Sequence, residues 1–143
     1  MMTLIKAIVA INGIYDIICA CCILLLGLEW GRKNLSVFSF FSTLHADMFE
    51  KEEHKSHPVI LRFLAYWLLT YGIIRLTAGG CERNNNNACL PFAALTYFIE
   101  AFCFIYEYII GQTMIKSKVG FVSVASTSLG ITILTISCYY FEL

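Results

Sequence analysis

Four long apolar blocks constrain the fold of this chain more than any other feature of its sequence. Each block is close to the ~20 residues that one helical crossing of the hydrocarbon layer requires. The blocks cover residues 4–28, 58–78, 91–114 and 119–140. Because a bilayer offers backbone groups no water, and because the blocks lack the alternation of barrel strands, they predict helices. We expect an all-α fold, a four-helix transmembrane bundle, with residues 1–143 as a single membrane domain.

The composition agrees with a membrane protein. Hydrophobic residues make up 59% of the chain and charged residues 14%, against roughly 45–50% and 25% in soluble domains. The ten basic and ten acidic residues cancel, so the chain has no excess positive charge to attract nucleic acid. We expect no nucleic-acid partner.

The one long polar stretch lies between the first two blocks. Within it, apolar residues recur near helical spacing from Leu35 to Phe49, with serines and Asp47 between them. Such spacing is typical of an amphipathic helix. We predict an interfacial helix at about residues 35–50, lying in the membrane interface or docked on the bundle.

The positions of Lys and Arg predict the orientation of the chain, because cytoplasm-like sides hold the excess of these residues in short loops. The side with the long loop and the 115–118 turn carries most of them, whereas the other side carries Lys6 and Arg83. We expect both termini on the lumenal side or its topological equivalent. The basic residues of the first side are Arg32, Lys33, Lys51, Lys55, Lys116 and Lys118.

Charged residues inside the blocks need partners, because an ionised group at mid-membrane costs several kcal/mol or more unless it is paired or hydrated. Antiparallel threading places Arg62 near the depth of Glu107, and Arg75 nearer that of Glu100. The two glutamates are seven residues apart and share one helix face. We predict two intramembrane ion pairs, Arg62 with Glu107 and Arg75 with Glu100, that fix the register of the second and third helices.

Asp16 lies midway along the first block, where the threading offers no partner of matching depth. We expect this unpaired buried acid to be protonated or hydrogen-bonded to Tyr or Ser hydroxyls. Two interpretations of Asp16, Glu100 and Glu107 stay open: polar contacts that hold helices together, which we favour, or a proton or ion relay. A water-filled cavity along the carboxylates would favour the relay.

Two of the seven cysteines fall in the loop that the charge count places on the lumenal side. A disulfide between Cys81 and Cys89 is one alternative there, and two thiols are the other. The three histidines all lie in the long loop. Helical spacing would let Glu53, His54 and His57 bind a metal, but a solvated charged face is the commoner meaning of such a pattern, and we expect no metal.

The sequence contains no recognisable catalytic machinery. A Gly-x-Ser-x-Gly motif, a phosphate loop and a dinucleotide fingerprint are all missing, and no histidine lies within a block to bind haem. We expect a protein that is not an enzyme and holds no cofactor. Small residues of the fourth block instead predict a helix-packing face, used inside the bundle or against another protein. They are Gly120, Ser123, Thr127 and Gly130.

Two stretches carry a family resemblance. In residues 62–76, Arg62 is followed five residues later by Trp67, and eight after that by Arg75. Residues 107–114 read Glu-Tyr-Ile-Ile-Gly-Gln-Thr-Met. Both stretches resemble the ergosterol-biosynthesis scaffold family, and with the small-residue fourth block the resemblance covers about half the chain.

The resemblance implies a non-catalytic protein of the endoplasmic reticulum that tethers the enzymes of sterol C4 demethylation, with other integral membrane proteins and membrane lipids as partners. Phe102 and Cys103 stand where the family has Gly-His, and neither the stretch Asn12-Gly13-Ile14-Tyr15-Asp16 nor the long charged loop has a clear counterpart. Two alternatives stay open. One is a supernumerary subunit of a respiratory or photosynthetic supercomplex in a mitochondrial or thylakoid membrane; the other is a small proton or ion transporter.

Overall fold

The computed structural model describes residues 2–26, 58–80, 89–111 and 119–141, and all of them are helical. The helices are α1 (Met2–Leu26), α2 (Pro58–Gly80), α3 (Cys89–Tyr106) and α4 (Val119–Phe141). A π-helical turn, Glu107–Gly111, continues α3. The predicted all-α class is confirmed. Each helix begins within two residues of the predicted start of its apolar block, and α3 with its π-helical turn is described as far as Gly111. The predicted interfacial helix at 35–50 lies outside the described residues.

Three of the described segments are long and apolar enough to cross a membrane. They are Met2–Leu25, Pro58–Gly80 and Cys89–Gly111. The apolar stretch of α4 is shorter, from Val124 to Tyr140. A fourth crossing by α4 therefore stays a prediction.

Prolines and glycines mark the ends of α2 and the start of α3. Pro58 is the first residue of α2, where a backbone N–H would have no helical partner. Gly79 and Gly80 are the last residues of the same helix. Pro91 was expected to open α3, but the helix begins two residues earlier at Cys89. Pro91 fits there because the first turn requires no N–H donor.

Helices α1 and α2 approach each other backbone to backbone. A Cβ atom on Gly13 would lie 2.5 Å from the Leu76 nitrogen, and one on Gly72 would lie 2.8 Å from the Gly13 oxygen. A Cβ on Gly79 would lie 2.6 Å from the Lys6 oxygen. Only glycine fits at such distances, so these residues set an antiparallel crossing of α1 and α2.

The four helices share one hydrophobic core only at the end that holds the chain termini. We call this cluster the shared core; its members are Ile5, Val9, Ala78, Ala93, Tyr97 and Cys138. At the opposite end the described clusters are separate. Cys19 and Ile23 pack with Ala65 in a cluster of α1 and α2, whereas Phe104 packs with Ala125 between α3 and α4. In the described residues, the two helix pairs thus share a hydrophobic core at one end only.

Candidate functional site: a charge cluster shared by the helices

Arg75 of α2 lies at the centre of the bundle with only 1% of its side chain exposed. Its Nη1 donates to Asp16 Oδ2 of α1 at 2.7 Å. Its Nη2 donates to Glu100 Oε2 of α3 at 2.5 Å, and its Nε donates to the Thr96 hydroxyl at 2.9 Å. All three guanidinium nitrogens therefore have acceptors. We call Asp16, Arg75 and Glu100 the charge cluster.

Two tyrosine rings cover the guanidinium. The carbon at its centre lies 3.8 Å from the centroid of the Tyr97 ring and 5.3 Å from that of Tyr71. An aromatic face attracts a cation, and more strongly where water is excluded. Asn12 of α1 fixes the Tyr97 ring, because its Nδ2 donates to the Tyr97 hydroxyl at 2.9 Å. The cation is thus held by acceptors and by ring faces.

Helix α4 reaches the charge cluster through Ser128. Its hydroxyl donates to Glu100 Oε2 at 3.4 Å, so every described helix contributes a side chain. A second hydroxyl of α4, that of Thr132, donates to the backbone carbonyl oxygen of Ser128 in the same helix at 2.8 Å. Removing one partner of a buried ion pair costs about 3–5 kcal/mol, because an uncompensated charge is left behind. The cluster therefore acts first as a joint between helices.

Of the two predicted ion pairs, the structure brings together Arg75 and Glu100. The other pair does not occur among the described ion pairs. Arg62 is exposed, and its Nε donates to the Pro58 oxygen at 3.2 Å within its own helix. Glu107 lies half-buried in the π-helical turn. The threading matched their depths, but α2 and α3 share no described core in this half of the bundle.

The prediction that Asp16 is unpaired is wrong. Asp16 forms the second ion pair of Arg75, and 6% of its side chain is exposed. By sequence position alone, Asp16 has no partner at its own depth. The close approach of Gly13 to Gly72 and Leu76 instead puts Asp16 within about one helical turn of Arg75. A long arginine side chain spans that offset easily.

The remaining predicted residues divide between described and undescribed positions. Cys81 lies outside the described residues, so the disulfide with Cys89 stays a prediction. The same applies to metal binding by Glu53, His54 and His57. On α4, Thr127 is exposed and a Cβ on Gly130 would meet nothing within 4 Å. The side chains of Gly120 and Ser123 are not described.

The face of α4 that packs on α3 differs from the predicted small-residue face. Its buried residues are Ala125, Ser128, Thr132, Thr135 and Cys138. The Thr132 hydroxyl also lies 3.5 Å from the Ala94 oxygen of α3. Thr127 and Gly130 therefore point away from this contact, which leaves the second alternative for that face, packing against another protein.

Sequence reasoning missed most of the residues around Arg75. A sequence pattern could have indicated these residues: each of three helices contains two polar residues four positions apart. Residues four apart in a helix lie on one face, so each pair marks one polar patch in an apolar segment. The pairs are Asn12 with Asp16, Tyr71 with Arg75, and Thr96 with Glu100.

The described contacts favour cohesion over proton relay. Both carboxylates of the charge cluster contact the same guanidinium. Within the described residues, no group of three His, Cys, Asp or Glu side chains could hold a metal ion. The geometry thus offers an electrostatic joint.

Comparison with known proteins connects the chain to one family. A sequence model of the family described as "Erg28 like protein" matches residues 32–132, which is most of the chain. The match takes in α2, α3 and much of α4, and it also includes the long loop from residue 32, for which the motifs offered no counterpart. No curated protein and no solved structure matched.

Proposed function

Because the chain belongs to the Erg28-like family, we propose that it is a non-enzymatic tether of the endoplasmic reticulum that holds the sterol C4-demethylation enzymes together. The family is known as a non-catalytic membrane scaffold of sterol biosynthesis. Its partners would be integral membrane proteins and the surrounding lipids. Both termini would face the lumen, as the distribution of Lys and Arg predicts.

The observation that supports this proposal is that the intramembrane charged residues pair with one another. Asp16 and Glu100 both form ion pairs with Arg75, and these contacts hold α1, α2 and α3 in register. A protein whose buried charges pair with one another has a stable bundle, and its outer surface is available to bind other membrane proteins.

That outer surface is rich in large apolar side chains. On α3, Phe92, Phe98 and Phe102 are each more than half exposed. Contiguous exposed apolar surface of this kind marks contacts with lipid or with other membrane proteins. A scaffold requires such a surface, and a tether of several enzymes requires more than one.

The test is purification of the tagged full-length chain from endoplasmic reticulum membranes in a mild detergent. We expect the sterol C4-demethylation enzymes to migrate with it, and C4-methylated sterols to accumulate in cells that lack it. Re-expression of the wild-type chain should reverse that accumulation. Gly13→Leu, which forces α1 away from α2, is the control for a chain that no longer folds.

Three results would contradict the tether. The chain could migrate with a respiratory or photosynthetic complex, which would make it a supernumerary subunit. It could migrate as a free oligomer that conducts ions in liposomes, which would make it a transporter. Unchanged sterol composition in cells lacking the chain would also exclude the proposed role.

A further inference from the structure

The charge cluster contains one more carboxylate than guanidinium. Asp16 and Glu100 both pair with Arg75, and no other ion pair of the described helices reaches either acid. Ionised, the three groups sum to one negative charge. An uncompensated charge at this depth is costly. The described cluster therefore requires either a proton or a further cation.

Glu100 is the member of the charge cluster that can be reached from outside. Its side chain is 18% exposed, against 6% for Asp16 and 1% for Arg75. Both Arg75 and Ser128 donate to the same oxygen, Oε2. The other oxygen, Oε1, accepts no hydrogen bond from the described helices. A carboxylate oxygen can accept two hydrogen bonds, so Glu100 can still accept hydrogen bonds from a neighbouring group.

Glu100 lies about one helical turn beyond Tyr97 of the shared core, towards the half of the bundle where the described α1–α2 and α3–α4 clusters are separate. We call the surface formed by Trp67, Tyr71, Glu100 and Cys103 the α2–α3 cleft; all four side chains are half-buried. The centroid of the Tyr71 ring lies 5.3 Å from the guanidinium carbon of Arg75, which also pairs with Glu100, and Cys103 follows Glu100 by three residues on the same helix face. Trp67 packs edge to face on Tyr71 at 5.5 Å between ring centroids. Beyond these residues, the two helices belong to separate hydrophobic clusters.

The depth of Glu100 decides which occupant the cleft fits. Glu100 is the central residue of the span Cys89–Gly111, so about 16 Å of helix separates it from each end. Lipid headgroups lie near the ends and do not reach it. A side chain carried on another membrane-spanning helix can lie at any depth.

A second copy of this chain does not supply the missing cation from its described helices. Arg75 is buried in its own charge cluster. Lys6 and Arg62 each lie within the first five residues of their helices, far from mid-depth. The other Lys and Arg residues of the sequence fall between the apolar blocks, so we take a different membrane protein as the occupant.

We propose that Glu100, at the base of the α2–α3 cleft, is the docking point for a membrane-spanning helix of a partner protein that carries a basic side chain at mid-depth. The ammonium or guanidinium of that helix donates a hydrogen bond to Glu100 Oε1 and neutralises the net negative charge of the cluster. This inference rests on the proposed function, since a scaffold has membrane partners. It adds which surface binds and what chemistry it selects.

The test uses a designed partner in place of an unidentified one. The full-length chain is placed in phosphatidylcholine liposomes with a labelled polyleucine-alanine peptide that spans the membrane and carries one central Lys. The same peptide with Leu at that position is the reference. Energy transfer between labels measures association, and we expect the Lys peptide to bind roughly tenfold more tightly.

Two variants locate the interaction. Glu100→Gln should abolish the preference for the Lys peptide, while Asp16 still balances Arg75 and the chain stays folded. Cys103→Leu should fill the cleft and weaken binding of the Lys peptide without touching the charge cluster. Cys21→Leu, the same change at an exposed position of α1, should leave binding unchanged.

Equal binding of the two peptides to the wild-type chain would overturn the proposal and assign the missing charge to a proton. A preference for Lys that survives in Glu100→Gln would overturn it as well. If Glu100→Gln fails to fold, the Cys103→Leu and Cys21→Leu pair decides: equal binding by both would contradict the cleft. Co-purification with sterol enzymes despite a failed peptide test would refute the docking point and leave the tether standing.

Discussion

At the scale of the residue, Arg75 joins three helices through one side chain. Its three nitrogens bond to Asp16, Thr96 and Glu100, and its plane lies over Tyr97. A guanidinium suits this position because its donors form a fixed planar fork, whereas an ammonium is a point charge. The identity of the residue matters here as much as its charge.

Replacing Arg75 should therefore be the most damaging change within the charge cluster. Arg75→Leu leaves two carboxylates without a counter-charge, and we expect a loss of about 3–5 kcal/mol in the free energy of unfolding. Arg75→Lys should lose less, because it keeps the charge but not the fork. Unfolding in mixed detergent micelles measures both.

The triple change Asp16→Asn, Arg75→Leu, Glu100→Gln is the control for this series. It removes the charges together, and buried ion pairs replaced by neutral groups are often as stable as the original. We expect it to be more stable than Arg75→Leu alone. If the triple variant is the less stable of the two, the loss in Arg75→Leu comes from packing and not from unbalanced charge.

Thr96 offers a smaller and cleaner test. Thr96→Val keeps the shape of the side chain but leaves the buried Arg75 Nε–H without its acceptor, which should cost about 1–3 kcal/mol. Thr70→Val is the matched control, because the Thr70 hydroxyl is exposed and donates only to the Tyr66 oxygen of its own helix. Equal stability of the two variants would contradict the role given to Thr96.

Sequence reasoning at this scale succeeded where depth alone was decisive. Arg75 lies nearer the depth of Glu100 than that of Glu107, within reach of its long side chain, and the structure places Arg75 and Glu100 together. Asp16 was misassigned because its depth relative to α2 depends on how the glycines let α1 and α2 slide. Apolar length alone does not determine that register. The polar pairs spaced by four residues indicate which helix faces meet, and comparing depths alone does not use them.

At the scale of the element, the crossing of α1 and α2 depends on Gly13 and Gly72. Gly13→Leu would place a side chain where the Leu76 nitrogen already lies. We expect a loss of at least about 1–3 kcal/mol, since overpacked contacts cost that much even where neighbours can move. A chemical crosslink introduced between α1 and α2 should form in the wild-type chain and not in Gly13→Leu, which would show the separation directly.

Gly130→Ala is the matched control for Gly13→Leu. A Cβ at Gly130 meets nothing within 4 Å, so the change should stabilise α4 by up to about 1 kcal/mol through helix propensity alone. A marked loss of stability in Gly130→Ala would show that this face of α4 is packed within the chain.

The predicted packing face of α4 and the close helix packing that the structure shows are on different helices, and packing of the α4 face against another protein stays a prediction. The dense run of Gly, Ser and Thr drew attention to α4, whereas the contacts that require glycine lie between α1 and α2. Composition shows that a helix is able to pack closely. Whether it does depends on a matching small residue on its neighbour, which a single sequence does not specify.

At the scale of the whole molecule, the number of crossings determines where the termini lie. Three described segments qualify as spans, and α4 has a shorter apolar stretch. Four crossings would place both termini on the lumenal side. In sealed microsomes we expect tags at both ends to resist added protease, and digestion of the C-terminal tag alone would show that α4 does not cross.

The division of the bundle into two helix pairs was beyond sequence reasoning. Apolar block lengths predicted four helices well, because span length follows from bilayer thickness. They contain no information on which faces meet, since all faces of such helices are apolar. The separation of the α1–α2 and α3–α4 clusters therefore emerges only from the three-dimensional arrangement.

The placement of Arg75 between acids on two different helices has a consequence for biogenesis. Asp16 precedes Arg75 by 59 positions in the chain, and Glu100 follows it by 25. During synthesis, α2 meets one counter-charge that is already in the membrane and a second that has not yet left the ribosome. Until α3 is inserted, Asp16 alone balances the charge of Arg75, and two guanidinium nitrogens lack their acceptors on Thr96 and Glu100, so we expect α1 and α2 to remain beside the translocon rather than move into lipid.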